Sequence, residues 1–177
     1  MFDENGFELY EVAPCPLAYL LTFRTFGNWL PGDVRGSYDK KRNKYGSNWI
    51  APNRPLHDKM ADLTKTKVLL SENQRRIVHE AILETCKHRG YLLQALNVRS
   101  NHLHAVVSKA VRPEKIVNDF KAYATRALRA NHEVGSSENV WARGSSTRYL
   151  WKPKHVTGAI DYVLYSQGDI PFEIKGE

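Results

Sequence analysis

The sequence predicts an α+β domain in which an antiparallel sheet carries helices on one face. Three observations point there. An apolar run rich in β-branched and aromatic residues spans 17–26, a capped amphipathic segment starts at Ser71, and two apolar stretches at 91–98 and 103–107 flank the polar tetrapeptide Arg99-Ser100-Asn101-His102. Alternation with period two marks strands and recurrence near 3.6 marks helices, so these segments differ in kind. A chain of 177 residues fits one domain, 1–177, large enough to bury a core.

Taken in order, LAYLLTFRTF at 17–26 follows Pro14 and Pro16 and stops at Gly27, as a buried strand does. Residues 27–60 turn to Gly, Pro, Asn and basic side chains with isolated aromatics and no clean period, and read as a long basic loop inserted into the domain. Ser71 with Gln74 three residues on forms a capping box, and Ile77, Val78, Ala81, Ile82, Thr85 and Cys86 recur at helical spacing until Gly90. The stretches at 91–98 and 103–107 read as a hairpin. Pro113 opens a second helix whose stripe is Ile116, Phe120, Tyr123 and Ala127, which marks Tyr123 as core. A fourth strand falls within 140–151, interrupted at Gly144-Ser145-Ser146, and Val156, Ile160, Val163 and Gln167 define a final helix over 155–167. The order strand, helix, strand, strand, helix, strand is that of a ferredoxin-like split βαβ unit, here with an additional C-terminal helix.

Composition narrows the partners. A net charge of +7 and an isoelectric point near 9.4 favour a polyanion, because each phosphate neutralised by Lys or Arg releases condensed counterions. No apolar run approaches the ~18 residues of a membrane span, and the start Met1-Phe2-Asp3-Glu4 lacks a signal peptide's pattern, so the expected setting is the cytoplasm, in association with the nucleoid, with no membrane partner. Cys15 and Cys86 form neither a metal pair nor a disulfide framework and read as structural thiols.

His102-Leu103-His104 is the tripeptide that carries chemistry. On a strand both imidazoles project from one face while Leu103 enters the other, and two imidazoles with open positions beside them suit a catalytic divalent ion. Such a tripeptide also occurs in strands that merely line a solvated face; here a basic chain and a tyrosine-bearing C-terminal helix accompany it. Asn101-His102-Leu103-His104-Ala105-Val106-Val107 resembles the metal-binding motif of the single-tyrosine HUH transposases, a group that includes the REP-associated tyrosine transposases. The resemblance implies a ferredoxin-like fold, Mg²⁺ or Mn²⁺ on His102 and His104, and a tyrosine on the C-terminal helix that attacks a DNA phosphate.

In Asp161-Tyr162-Val163-Leu164-Tyr165-Ser166-Gln167 the family pattern, a tyrosine followed by Val or Ile, fits Tyr162, with Tyr165 as the alternative nucleophile. Gln167 is the matching third ligand, but it stands five residues after Tyr162 where the pattern has four. At about 100° per residue it lies about 140° round the helix from the tyrosine. A phenol with a pKa near ~10 attacks a phosphodiester at neutral pH only when the phosphate is polarised and held in line. The resulting 5′-phosphotyrosine conserves the bond energy, so a free 3′-hydroxyl can reverse the step and join strands. The resemblance implies as partner single-stranded DNA, in the form of hairpin ends of a mobile or repetitive element, and a homodimer. Candidate DNA contacts are Lys40, Lys41 and Arg42 in the long loop, Lys121 and Arg129 on the second helix, and Arg143, Arg148 and Lys152 near the fourth strand, where Trp141, Tyr149 and Trp151 alternate among the cations. A non-catalytic single-stranded DNA- or RNA-binding module on the same fold is the alternative, and a replication-initiator nuclease would need a helicase domain that this chain lacks.

Overall fold

The computed structural model describes residues 15–34, 51–64 and 66–166. Strand β1 (Ala18–Arg24) is followed by helices α1 (Arg54–Thr64) and α2 (Glu72–Arg89), strands β2 (Leu92–Val98) and β3 (His102–Ser108), helix α3 (Pro113–Ala130), strand β4 (Ser146–Leu150) and helix α4 (Pro153–Tyr165). The sheet order is β2-β3-β1-β4 and every pairing is antiparallel. That is the split βαβ arrangement expected from the element order. The basic residues Lys40, Lys41 and Arg42 and the ligand candidate Gln167 lie outside the described residues.

Helix α2 begins where its capping box dictates: Gln74 N–H donates to Ser71 Oγ and Ser71 N–H to Gln74 Oε1, satisfying two otherwise orphan donors. It ends at Gly90, whose φ of 64° is the left-handed conformation that glycine adopts without a Cβ penalty. Ile116, Val117, Phe120, Ala124 and Leu128 of α3 pack with Val78, Ile82 and Cys86 of α2 against one sheet face, which supplies Tyr19, Leu21, Phe23, Leu96, Val98, Leu103, Ala105 and Val107. Full burial of such side chains contributes roughly 1.5–3 kcal/mol each, so this layer dominates stability. Burial also pushes the Cys86 thiol up to about 12, an inert thiol as expected.

Two expectations are corrected. The segment 27–60 is not all loop, because Asn53 Oδ1 accepts the Leu56 N–H and α1 starts at Arg54 with Pro55 in its first turn. No α1 residue is buried, so the helix leaves no apolar period to read. The buried stripe of α3 is also turned relative to the expected one: Ala124 and Leu128 are core, while Tyr123 is half-buried. Its ring lies 4.9 Å from the Arg126 guanidinium and 5.7 Å from that of Arg89, a cation–π setting that suits the surface better than the core.

Helix α4 covers the opposite sheet face. Ala159 and Val163 join Ala18, Ala95, Val106 and Leu150 in a second, smaller cluster. A bulge between Leu93 and Ala95 shifts the β2 register by one residue, so that Asn97 faces its partner His104 instead of entering the α2/α3 core. There Asn97 Nδ2 donates to the Val163 carbonyl at 3.0 Å and ties α4 to the sheet.

Candidate active site

The site lies on the α4 face at the end of β1 and β3. Across these strands Thr22 pairs with His104 and Arg24 with His102, so all four side chains project together. Leu103, between the histidines, is fully buried in the α2/α3 core, which fixes the strand's orientation and leaves the imidazoles no alternative face. The two imidazole rings stand 4.8 Å apart at 80°. Each Nδ1 has a hydrogen-bond partner: His104 Nδ1 meets Thr22 Oγ1 at 2.8 Å, and His102 Nδ1 meets Asn101 Oδ1 at 2.6 Å. Since Asn101 Oδ1 only accepts, His102 carries its proton on Nδ1, and its Nε2 is the nitrogen with a lone pair for a metal. Thr22 can accept from His104 in the same way, so the donor set fits a divalent ion held by two Nε2 atoms with positions left for oxygen ligands. Among the described residues no group of three or more His, Cys, Asp or Glu that could hold a metal ion is gathered.

Helix α4 brings Tyr162 to this pair. Its ring centroid is 5.5 Å from that of His104, edge to face, and 42% of the residue is exposed. The side chain therefore faces both the histidines and solvent. A cavity of about 380 Å³ is lined by Thr22, Arg24, Trp29, His102, His104 and Tyr162. Tyr165 stands 78% exposed and does not line it. Arg24 and Thr22 were missed as site residues in the sequence, although polar residues two apart in LAYLLTFRTF carried the signal: on a strand they share the face that the histidines occupy.

The profile of the family described as "Transposase IS200 like" matches residues 60–161, more than half of the chain. The chain belongs to the IS200-like transposase family. Its structure is similar to that of a REP-associated tyrosine transposase bound to a REP hairpin, with a TM-score of 0.51 and 12% identity over 90% of this chain and 71% of that one. A candidate transposase from Deinococcus radiodurans R1 aligns with a TM-score of 0.42 and 14% identity, over 90% of this chain and 97% of that one. No curated protein sequence matches. The similarity at 0.51 agrees with the ferredoxin-like α+β architecture.

Within this transposase fold the remaining predicted contacts divide by what they already touch. Lys121 Nζ donates to the Ala142 and Gly144 carbonyls at 2.8 and 3.0 Å and so braces the segment before β4 against α3. Trp141 is also a brace, packing edge-on against Phe23 and donating Nε1–H to Thr125 Oγ1. Arg129 Nη2 reaches the Glu138 carbonyl. Arg143 and Arg148 are exposed and Lys152 half-buried, and Arg148 pairs with Leu20, which places it on the histidine face of β4. Tyr149 and Trp151 are about half-exposed and stack on each other at 6.4 Å and 13°; Tyr149 pairs with Tyr19, so this aromatic platform stands on the α2/α3 face of β4, opposite Arg148. Among the described residues no helix is long and apolar enough to cross a membrane.

Proposed function

We propose that this transposase cleaves and rejoins single-stranded DNA through a covalent 5′-phosphotyrosine, with Tyr162 as nucleophile and His102 and His104 as metal ligands. The observation that carries this reading is the convergence of Tyr162 and His104, 5.5 Å apart between ring centroids, on one solvent-open cavity that His102 also lines. When bound, Mg²⁺ or Mn²⁺ polarises the non-bridging oxygens of the phosphodiester. Tyr162 Oη attacks phosphorus as the bond to the 3′-oxygen breaks, and the phenolic proton is balanced by the proton that the departing 3′-hydroxyl gains. Thr22 and Asn101 hold the imidazoles through their Nδ1 atoms, so that each Nε2 would be the atom to hold the ion. Gln167 is proposed to complete the metal shell from the residues that follow α4.

The substrate is proposed to be the hairpin-bearing single strand at the ends of a mobile or repetitive element, by analogy with the neighbour bound to a REP hairpin. Arg148, on the histidine face, follows its phosphates with Arg143 and Lys152, and Tyr149 and Trp151 stack on bases that pass round the β4 edge to the other face. The protein acts as a homodimer, although Tyr162 already reaches His104 of its own chain. The test uses labelled single-stranded oligonucleotides tiling the DNA that flanks the protein's own gene, with Mn²⁺, scored for a protein–DNA adduct that survives denaturation. The expected adduct disappears in Tyr162→Phe and persists in Tyr165→Phe. Tight, salt-sensitive binding with no adduct on any oligonucleotide would instead make this a non-catalytic binding module.

A further inference from the structure

We propose that the Arg24 guanidinium is a further catalytic group, one that grips the non-bridging oxygens of the scissile phosphodiester, and that Trp29 is the positioning residue that aims it. The inference rests on the nucleophile reading above. Arg24 is the direct cross-strand partner of His102, projects from the same face as His104, and lines the cavity that contains Tyr162. A cation at that place lies beside any phosphate poised between the tyrosine and the histidines.

The way Arg24 is held argues for more than attraction. Its guanidinium carbon sits 3.2 Å from the centre of the Trp29 ring, over the face of the indole. That contact restrains the guanidinium, whose forked N–H donors match two phosphate oxygens at once. To place the indole there the chain adopts an uncommon turn. Trp29 has φ of +58°, a left-handed conformation that is costly for a bulky residue and persists where the surroundings enforce it.

The surroundings do enforce it. Gly27, at φ +73°, lies so close to the segment after α1 that a Cβ would come within 2.9 Å of the Lys67 Cα. Asn28, only 6% exposed, donates its amide to Thr25 Oγ1 and the Val68 carbonyl, both at 2.7 Å. The turn is thus clamped against Thr25 and residues 66–68, and it sets the indole against the guanidinium. A strained conformation kept for this purpose belongs to the site, since stability alone would favour Asn or Gly at position 29.

The test measures single-turnover adduct formation on the flanking-DNA oligonucleotide that the wild type cleaves, alongside the dissociation constant for the same oligonucleotide. Arg24→Gln is expected to slow adduct formation by roughly 100-fold or more while affinity changes by less than about threefold, because the oxygens need the guanidinium most as charge develops. Arg24→Lys keeps the charge but not the fork and is expected to stay more than about 10-fold slow. Trp29→Asn, which accepts the left-handed conformation, is expected to melt no lower than the wild type and yet to react about 10-fold more slowly. It keeps the proposal testable if Arg24→Gln does not fold. Wild-type adduct with undiminished rates in Arg24→Gln or Trp29→Asn overturns the Arg24 proposal alone. Equal losses in rate and affinity overturn it too, whereas a wild type that forms no adduct overturns the nucleophile reading beneath it.

Discussion

On the face covered by α2 and α3, strands β1 and β3 present Tyr19, Leu21, Phe23, Leu103, Ala105 and Val107, all buried. On the face toward α4 the same strands present Thr22, Arg24, His102 and His104 beside Ala18 and Val106. The chain alternates between these tasks residue by residue, and neither strand could surrender its apolar face without losing its register. Stability is concentrated on one side so that polar groups, half-exposed Thr22, Arg24 and His102 and buried His104, can be held in place on the other. The difference is open to direct attack. Phe120→Ala removes a fully buried ring from the α2/α3 layer and should lower unfolding free energy by about 3–5 kcal/mol in urea titrations. A loss below about 1 kcal/mol would show that this layer does not dominate.

The converse substitution lies on the other face. Thr22→Val is nearly isosteric and removes the hydroxyl that meets His104 Nδ1 at 2.8 Å. Unfolding free energy should stay within about 1 kcal/mol, while calorimetric Mn²⁺ affinity falls by about 10–100-fold through the lost orientation of the imidazole. Unchanged affinity would separate Thr22 from any metal role. A smaller effect is expected at the join between the faces. Asn97→Ala deletes the buried bond to the Val163 carbonyl, costing about 1–2 kcal/mol. Hydrogen exchange should then quicken in α4 while α2 and α3 keep their protection; a uniform rise across all three helices would mean that Asn97 supports the whole fold and not the tyrosine helix.

These faces were unequally legible in the sequence. Period two in LAYLLTFRTF and His102-Leu103-His104 is enough to assign sides, and the capping box and Gly90 bound α2 by local chemistry alone. Helix α1 was hidden because no residue of it is buried, which leaves Asn53 and Pro55 as its only marks. The α3 stripe was read from Ile116 and Phe120 toward Tyr123 and Ala127, whereas burial runs to Ala124 and Leu128. Both sets satisfy helical spacing. What decides between them is the pair of guanidiniums, from Arg89 and Arg126, that Tyr123 meets at the surface, and Arg89 comes from another helix. The β2 bulge is likewise a tertiary feature: nothing in LLQALNV announces it, yet it puts Asn97 on the side of the site. The face chosen by α4 depends on topology in the same way, so the sequence offers Tyr162 as a candidate without placing it against the histidines.

The smallest effect expected is a pH dependence confined to the stable side. His79 is buried within α2, and desolvation lowers its pKa from the usual 6.5, with the nearby Glu80 carboxylate opposing that shift. Between the lowered folded value and 6.5, the unfolded chain binds a proton that the folded chain does not. Stability is therefore complete above 6.5 and declines as pH falls through 6.5 toward the folded-state value. His79→Leu removes the titrating group and keeps an apolar side chain, so its urea midpoint should change less between pH 7.5 and 5.5 than that of the wild type (both are chosen to straddle ~6.5). Every other ionisable group is common to both proteins, so the difference between the two curves isolates the buried residue. Parallel curves would mean that His79 does not contribute to the acid sensitivity of the fold.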